Sequence, residues 1–125
     1  LDAAIALAAR FGFDGPERLK LTMAALDREL GAGDFHYRYS GMDQEEGCFL
    51  ACSFWIAESY ARLGDPQEAR RRLERLGQAL TPCNGVMSEM IDPGTGALLG
   101  NTPQGLSHLA HVMALSTLAE IEGGG

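Results

Sequence analysis

The sequence has no long hydrophobic run and no internal repeat. No uninterrupted apolar stretch approaches the roughly 20 residues of a transmembrane helix, so we expect no contact with a membrane. No basic segment followed by a cleavage site opens the chain, although such a signal can lie upstream of it. No signature recurs with a period of about 34 residues, which disfavours a tetratricopeptide-like array. Strands are not indicated either, because no alternating pattern of useful length occurs.

Basic side chains are scarce. The 125 residues include 10 Lys and Arg against 17 Asp and Glu, which gives a formal net charge of −7. An acidic chain repels the phosphate backbone of nucleic acids. We therefore expect no nucleic acid among the partners.

Cysteine is limited to Cys48, Cys52 and Cys83, an odd number. Cys48 and Cys52 have helical spacing within an apolar stretch, so we interpret them as buried free thiols rather than as disulfide partners or nucleophiles. Free thiols favour a reducing cytoplasm. His108 and His111 are three residues apart, but no third ligand stands at a matching position. We expect a structural role for His108, no metal site and no cofactor.

Five segments have the apolar spacing of helices. They are residues 1–8, 16–30, 47–63, 66–80 and 103–121. The second and fourth are amphipathic and begin with a proline at the first helical position, whereas the third and fifth are apolar almost all round. Thr102 and Pro103 are expected to open the fifth as cap and first helical residue. This alternation is typical of consecutive outer and inner helices, in an α/α toroid or an α-solenoid, so the sequence predicts an all-α fold.

The ends of the chain favour a piece of a longer protein. Residues 1–8 have no cap and have the spacing of a helix already under way, and residues 123–125 are three glycines. We expect residues 1–122 to form the C-terminal portion of a domain and residues 123–125 to form a flexible tail.

The stretch 85–111 carries the strongest chemical signal. At its centre, residues 92–96 read Asp-Pro-Gly-Thr-Gly, which predicts a tight turn because Pro93 fixes φ and the glycines permit positive φ. Glu89 stands just before this turn, on an irregular segment between two structured elements. Such a loop can aim a carboxylate into a cleft, although most loop glutamates are solvated or cap helices.

Two sequence blocks carry a family resemblance. Residues 88–108 include Ser-Glu-Met, Asp-Pro-Gly-Thr-Gly and Leu-Gly-Asn-Thr-Pro-Gln-Gly-Leu-Ser-His, and residues 45–55 read Glu-Glu-Gly-Cys-Phe-Leu-Ala-Cys-Ser-Phe-Trp. Both resemble motifs of glycoside hydrolase family 15, the glucoamylase and trehalase group, in the same order and at a similar separation. The resemblance covers residues 16–118. The chain departs from the motifs at Met90, Thr102, Gly105 and Leu106, near the presumed site.

The resemblance implies a fold, an activity and a catalytic residue. The fold would be a partial (α/α)6 toroid of antiparallel helical hairpins, whose five helices cannot close the ring. The activity would be that of an inverting, exo-acting α-glucosidase, which releases glucose from trehalose, maltose or a longer glucan. By its place in the Ser-Glu motif, Glu89 would be the general base, and the general acid would lie upstream in the same protein. The implied partners are an α-glucoside substrate and that upstream part.

Arg38 and Glu46 are further candidates, for substrate binding. The family has a sugar-binding arginine in the loop before its Glu-Gly-x-Phe helix, and Arg38 stands at that place between two tyrosines. Its alternative role is a surface ion pair with Asp34 or Asp43. Glu46 either binds a sugar hydroxyl or complements the dipole of the helix that follows. Because loops at one rim of a toroid converge, we expect Glu89 and Arg38 to face one cleft, with Glu46 at its wall.

A second class of function stays open at this stage. Met90 and the lack of a general acid in the chain also fit a catalytically silent all-α interaction domain, which keeps the helices without the chemistry. A glutamate in an upstream motif of the native reading frame would distinguish the enzyme from the silent domain.

The isolated chain of 125 residues is expected not to hydrolyse glucosides. One carboxyl group of the catalytic pair lies outside it, and general acid catalysis contributes about 10² to 10⁴-fold to such a rate. A glucose assay with trehalose and maltose as substrates checks this expectation. Release of glucose above a protein-free blank would contradict it.

Overall fold

The computed structural model describes residues 2–12, 15–39 and 47–124. Within these ranges the main elements are α-helices, named α1 (Pro16–Leu30), α2 (Leu50–Arg62), α3 (Pro66–Ala79) and α4 (Gly105–Gly124). Two 3₁₀ helices span Ala3–Ala9 and Thr81–Cys83. Five two-residue strands also occur: β1 (Gly31–Ala32), β2 (Phe35–His36), β3 (Cys48–Phe49), β4 (Met90–Ile91) and β5 (Leu98–Leu99). The prediction of a mainly helical fold is confirmed, and the short strands are an addition to it.

The strands form two small antiparallel sheets. β1 pairs with β2, and β4 lies between β3 and β5. In the larger sheet Cys48 is opposite Ile91, and Met90 is opposite Leu99. Two-residue strands are too short to produce an alternating pattern, which is why the sequence did not indicate them.

α1 begins and ends at the predicted residues. Pro16 occupies its first turn, where a missing N–H costs nothing, and the N–H of Gly31 bonds to the carbonyl of Asp27 at the other end. The predicted apolar stripe is buried; its members are Leu19, Met23, Leu26 and Leu30. α3 likewise starts as predicted, with the Asp65 side chain accepting from the N–H of Glu68.

The predicted start of α2 at residue 47 is wrong. Cys48 and Phe49 are extended and pair with β4, so the helix begins only at Leu50. Cys48 and Phe49 adopt the extended form instead of a helical turn because pairing with β4 satisfies hydrogen-bonding groups of both backbones. Gly47 permits this approach, because a Cβ there would lie 2.6 Å from the carbonyl oxygen of Ile91.

α2 is the central element, as its apolar sequence predicted. Phe54 belongs to one hydrophobic cluster, with residues of α3 and α4, and Ile56 to a second cluster with α1 and the first 3₁₀ helix. Full burial of such side chains contributes about 1.5 to 3 kcal/mol each. The buried Glu58 of α2 is bonded by Arg10 (2.6 Å) and Arg62 (2.8 Å). Burial would raise the pKa of Glu58, but these bonds lower it, so the residue stays charged.

The N-terminal segment is a 3₁₀ helix rather than an α-helix, and it is capped. Asp2 precedes it, and its carboxylate accepts from the N–H of Ala4 at 2.9 Å. The prediction that this segment is an uncapped α-helix is therefore wrong. Asp2 is also bridged to Tyr39, which draws the segment onto the loop after β2.

α4 differs from the prediction at both ends and on one face. Residues 101–103 are bends and the helix starts at Gly105, so Thr102 and Pro103 do not cap and open it. It continues through Gly123 and Gly124, which the sequence had suggested to be part of a tail. Small residues face α2, whereas large apolar residues are 45 to 59% exposed; they are Leu106, Leu109, Val112 and Leu115. Among the described helices, none combines the length and hydropathy of a membrane span.

A polar network joins α1, α2, α3 and β2. The Asp27 carboxylate accepts from His36 Nε2 at 2.8 Å, from the Tyr60 hydroxyl at 2.6 Å, and from both terminal nitrogens of Arg72 at 2.8 and 2.7 Å. Burial would raise the pKa of Asp27, but the hydrogen bonds from His36, Arg72 and Tyr60 hold it well below its ordinary value. The amphipathic patterns of α1 and α3 gave no sign of this network, because Asp27 and Arg72 are 45 residues apart in the sequence.

The Asp27→Asn variant should lose roughly 2 to 3 kcal/mol of unfolding free energy, because the partly buried Arg72 loses its charge-assisted bonds to Asp27 and keeps its ion pair with Glu68 at 3.1 Å. Since the pKa of Asp27 is lowered in the folded state, its contribution is present above the unfolded pKa of about 4 and is lost as the pH falls below that value. Urea unfolding at several pH values measures both effects.

Glu17→Gln is the matched control, since Glu17 forms only an exposed pair with Lys20 at 3.4 Å. It should change stability by less than about 0.5 kcal/mol. An Asp27→Asn protein as stable as this control would show that the network contributes no stability.

Candidate carbohydrate-binding cleft

Glu89 and Arg38 line the same cleft. Its volume is about 190 Å³, and its walls come from the first 3₁₀ helix, the loop after β2, the start of α2, the segment before β4 and the start of α4. The two side chains come from loops far apart in sequence, and the fold brings them together as we expected. Glu46, the third predicted site residue, lies outside the described residues.

Glu89 is held by its backbone on both sides. Its N–H bonds to the carbonyl of Asn101 at 2.8 Å, and its carbonyl accepts from the N–H of Leu50 at 3.1 Å. The carboxylate Oε1 lies 3.4 Å from the N–H of Asn101. Because a partner on each side fixes the backbone, the carboxylate leaves it in a defined direction at the cleft wall.

Gly100 makes room for this carboxylate. Its φ is +76°, a left-handed value that favours glycine, and a Cβ at this position would lie 2.6 Å from Glu89 Oε1. The same Cβ would lie 2.9 Å from the Met90 side chain. The Leu-Gly-Asn motif therefore needs its glycine for the placement of Glu89 as well as for the turn.

Arg38 projects its guanidinium group over aromatic rings. The central carbon lies 5.5 Å from the ring centroid of Tyr39 and 5.6 Å from that of Phe49. Within the described ranges Arg38 has no ion pair, and Asp34 pairs instead with Arg75 at 2.8 Å. Asp43, the other alternative partner, lies outside those ranges. The planar donors of Arg38 thus face the cleft beside apolar rings.

Three lining residues were missed by sequence reasoning. Trp55 belongs to the segment whose apolar sequence indicated burial on all sides, but it is only half-buried and lines the cleft. Gln104 lines it from the segment before α4, and Asp2 lines it beside Arg38. Gln104 lies in the Pro-Gln motif and could have been found there, whereas no local pattern indicated that Asp2 reaches the loop that carries Arg38.

The cysteines near the cleft are unreactive. Burial raises the pKa of Cys52, which lines the cleft, to about 12, and it does the same for Cys48. A thiol with such a pKa is protonated at neutral pH and is a poor nucleophile. The prediction that these two residues are buried free thiols is confirmed.

The two histidines of α4 have structural contacts. His108 Nε2 accepts from the N–H of Met87 at 3.0 Å, which confirms the expected structural role. The ring of His111 stacks on Phe54 with 4.7 Å between centroids, and burial lowers the pKa of His111. The described residues contain no group of three His, Cys, Asp or Glu side chains arranged to hold a metal ion.

A larger cavity lies elsewhere, around the Asp27 network. It has a volume of about 330 Å³ and is lined by Asp27, His36, Arg72 and Arg75 among others. Its charged groups already pair with one another, and none of the predicted site residues reaches it. The cleft with Glu89 and Arg38 is therefore the better candidate for a ligand site.

The Gly100→Ala variant should be destabilised by about 1 to 2 kcal/mol and should displace the Glu89 carboxylate, because the new Cβ meets Oε1 and forces a left-handed φ on alanine. Thermal unfolding and a structure of the variant measure the two effects. Gly77→Ala is the control, since Gly77 lies in α3 with open space at its Cβ position, and it should gain about 0.5 to 1 kcal/mol. Equal stability of the two variants would contradict the packing argument.

The chain is similar in sequence to several proteins named trehalase. No protein-family model matches the chain. It is 36% identical over 124 residues to a trehalase of Mycolicibacterium smegmatis, and 34% identical over 123 residues to a trehalase of Mycobacterium tuberculosis; each match covers 92% of this chain and 18% of the relative. A trehalase of Thermoplasma acidophilum is 34% identical over 83% of the chain. The chain thus spans about a fifth of the length of these curated relatives.

A solved structure described as "Glycosidase Wild Type" has a similar fold. The TM-score is 0.78 at 20% sequence identity, and the match covers 95% of this chain and 36% of that one. At this identity the likeness concerns the fold alone, and it fits one part of an α/α toroid. From the two motif blocks, the sequence relatives and the shared fold, we conclude that the chain is a trehalase/glucoamylase-like region of the glycoside hydrolase family 15 type.

Proposed function

We propose that the chain is part of an inverting, exo-acting α-glucosidase, in which Glu89 is the general base. One observation carries the proposal: the Glu89 carboxylate is held at the wall of a cleft that Arg38 and two aromatic side chains also line. Carbohydrate sites combine such groups, because a hexose offers hydroxyls at its edge and an apolar face. The similarity to proteins named trehalase supports carbohydrate hydrolysis as the reaction.

The proposed chemistry assigns a role to each of the two charged side chains of the cleft, Glu89 and Arg38. Glu89 takes a proton from a water molecule as the water attacks the anomeric carbon, which inverts the configuration at that carbon. The general acid protonates the leaving oxygen and belongs to another part of the protein, about 6.5 to 9.5 Å from Glu89. Arg38 donates hydrogen bonds to sugar hydroxyls, and Phe49 and Trp55 pack against the ring. Glu46 is the third predicted site residue, which we propose for binding a sugar hydroxyl.

Trehalose is the first substrate to test, because the relatives are named trehalases. Maltose and longer glucans are the alternatives. All three expose a non-reducing glucose that fits a pocket with one arginine and apolar rings. The chain departs from the family motif at Thr102, Gly105 and Leu106; of these Leu106 lines the cleft and bears on this choice.

We also propose that residues 1–122 form the C-terminal portion of an (α/α)6 catalytic domain. The partner of this portion is the upstream part of the same protein, which supplies the general acid. The exposed apolar side chains of α4 support this arrangement, because a row of large side chains 45 to 59% exposed is costly in water. The free thiols support a cytoplasmic location.

In the full-length protein, Glu89→Gln should lower kcat for trehalose by about 10² to 10⁴-fold, because it removes the base and keeps the shape of the side chain. The control is Glu29→Gln, an exposed change on α1, which should keep the parental rate. Equal melting temperatures for the three proteins exclude unfolding as the cause.

The stereochemistry of the first products tests inversion separately. Inversion at one anomeric carbon of trehalose releases equal amounts of α- and β-glucose, whereas retention releases only the α-anomer. Proton NMR of the fresh products distinguishes the two. A near-normal rate for Glu89→Gln would place the base elsewhere, and a full-length protein without any activity would favour the silent interaction domain.

A further inference from the structure

The segment before Glu89 is bonded by the beginning of α4. The buried Ser107 hydroxyl donates to the carbonyl of Ser88 at 2.8 Å. The ring nitrogen Nε2 of His108 accepts from the N–H of Met87 at 3.0 Å, and the N–H of Gln104 donates to the carbonyl of Met87 at 2.9 Å. Two consecutive residues directly before Glu89 are thereby hydrogen-bonded to the first turn of α4 and to Gln104, which immediately precedes it.

These contacts reach the backbone and not the carboxylate. The hydrogen bonds of Ser107 and His108 to this segment end at Ser88 and Met87, one and two residues before Glu89. Glu89 itself is bonded at Asn101 and Leu50. The direction of the Glu89 side chain therefore depends on a backbone segment held at successive residues, and α4 supplies the contacts on its N-terminal side.

His108 can make its contact in only one form. The Met87 N–H is a donor, so Nε2 must be the unprotonated nitrogen and the ring proton must be on Nδ1. An amide side chain of matching length can replace this function, because the Oε1 of glutamine is an acceptor near the position of Nε2. A leucine of similar volume cannot accept the Met87 N–H, because its side chain has no acceptor atom. The pair of substitutions separates hydrogen bonding from packing.

We propose that His108 and Ser107 are positioning residues, which fix the backbone of Met87 and Ser88 and so aim the Glu89 carboxylate at the attacking water. The inference rests on the proposed role of Glu89 as the base. In this proposal Ser107 and His108 affect turnover indirectly, through the position of Glu89. Substrate affinity is set by different groups, Arg38 and the aromatic rings, on the other walls of the cleft.

The test compares His108→Leu with His108→Gln in the full-length protein. His108→Leu should lower kcat by up to ~10²-fold with little change in KM, because a displacement of about 1 Å at a reacting group costs that much. His108→Gln should recover most of the rate. Hydrogen exchange of the Met87 amide gives a readout independent of activity: it should be fast in His108→Leu and protected again in His108→Gln.

His111→Leu is the matched control, since His111 lies one turn along α4 and contacts Phe54 instead of residues 87–88. It should keep the parental kcat below its melting temperature. Ser107→Ala provides a second variant if His108→Leu does not fold, and it should lower kcat in the same way because the carbonyl of Ser88 loses its donor.

A folded His108→Leu protein with the parental kcat would overturn the positioning role, and so would a His108→Gln protein as slow as His108→Leu. Glu89→Gln, measured in the same series, separates this inference from the proposed function. If Glu89→Gln is active, the assignment of the base fails and the positioning role fails with it. If Glu89→Gln is inactive while folded His108→Leu keeps its rate, only the positioning role fails.

Discussion

The backbone hydrogen bonds of residues 87–91 determine the shape of the candidate site. A segment outside regular helices has to find partners for its N–H and C=O groups on other elements. Here α4 bonds Met87 and Ser88, the beginning of α2 and residue 101 bond Glu89, and the flanking strands pair with Met90 and Ile91. Because different elements hold successive residues, the segment has little freedom to rotate. The Glu89 carboxylate, at the centre of the segment, therefore leaves the backbone in a fixed direction.

Charged groups are treated differently in the scaffold and in the cleft. Asp27 and Glu58 are partly or fully buried, and hydrogen bonds hold the pKa values of both carboxylates low. The donors to Asp27 are His36, Arg72 and Tyr60, and those to Glu58 are Arg10 and Arg62. These ion pairs join elements around α2, and none of their residues lines the cleft. Within the described ranges neither Glu89 nor Arg38 has an ion pair. The charges of Asp27 and Glu58 are thus paired within the fold, whereas those of Glu89 and Arg38 remain available to a ligand.

Local patterns predicted the parts of this structure that depend on nearby residues. The proline start and apolar stripe of α1 gave its bounds, and the motifs indicated both Glu89 and Arg38 as site residues. The parts that were missed depend on distant partners. β3 needs β4 to pair with, and Arg72 needs Asp27, 45 residues away. The place of Trp55 at the cleft was missed because composition cannot distinguish a side chain covered by protein from one that borders a cleft.

The turn at residues 92–96 has a consequence for the order in which the chain folds. The Asp92 carboxylate accepts from the N–H of Gly94, and the Asp92 backbone bonds to Ala97 and Gly96, so the turn closes with its own residues. β4 and β5 are joined directly by this turn, and β-hairpins form in about 1 to 10 μs. Glu89 and Gly100 flank the hairpin, and they can therefore meet before the long-range contacts with α2 form. Only the hairpin separates Glu89 from Gly100, so the wall that carries the carboxylate closes over a short loop.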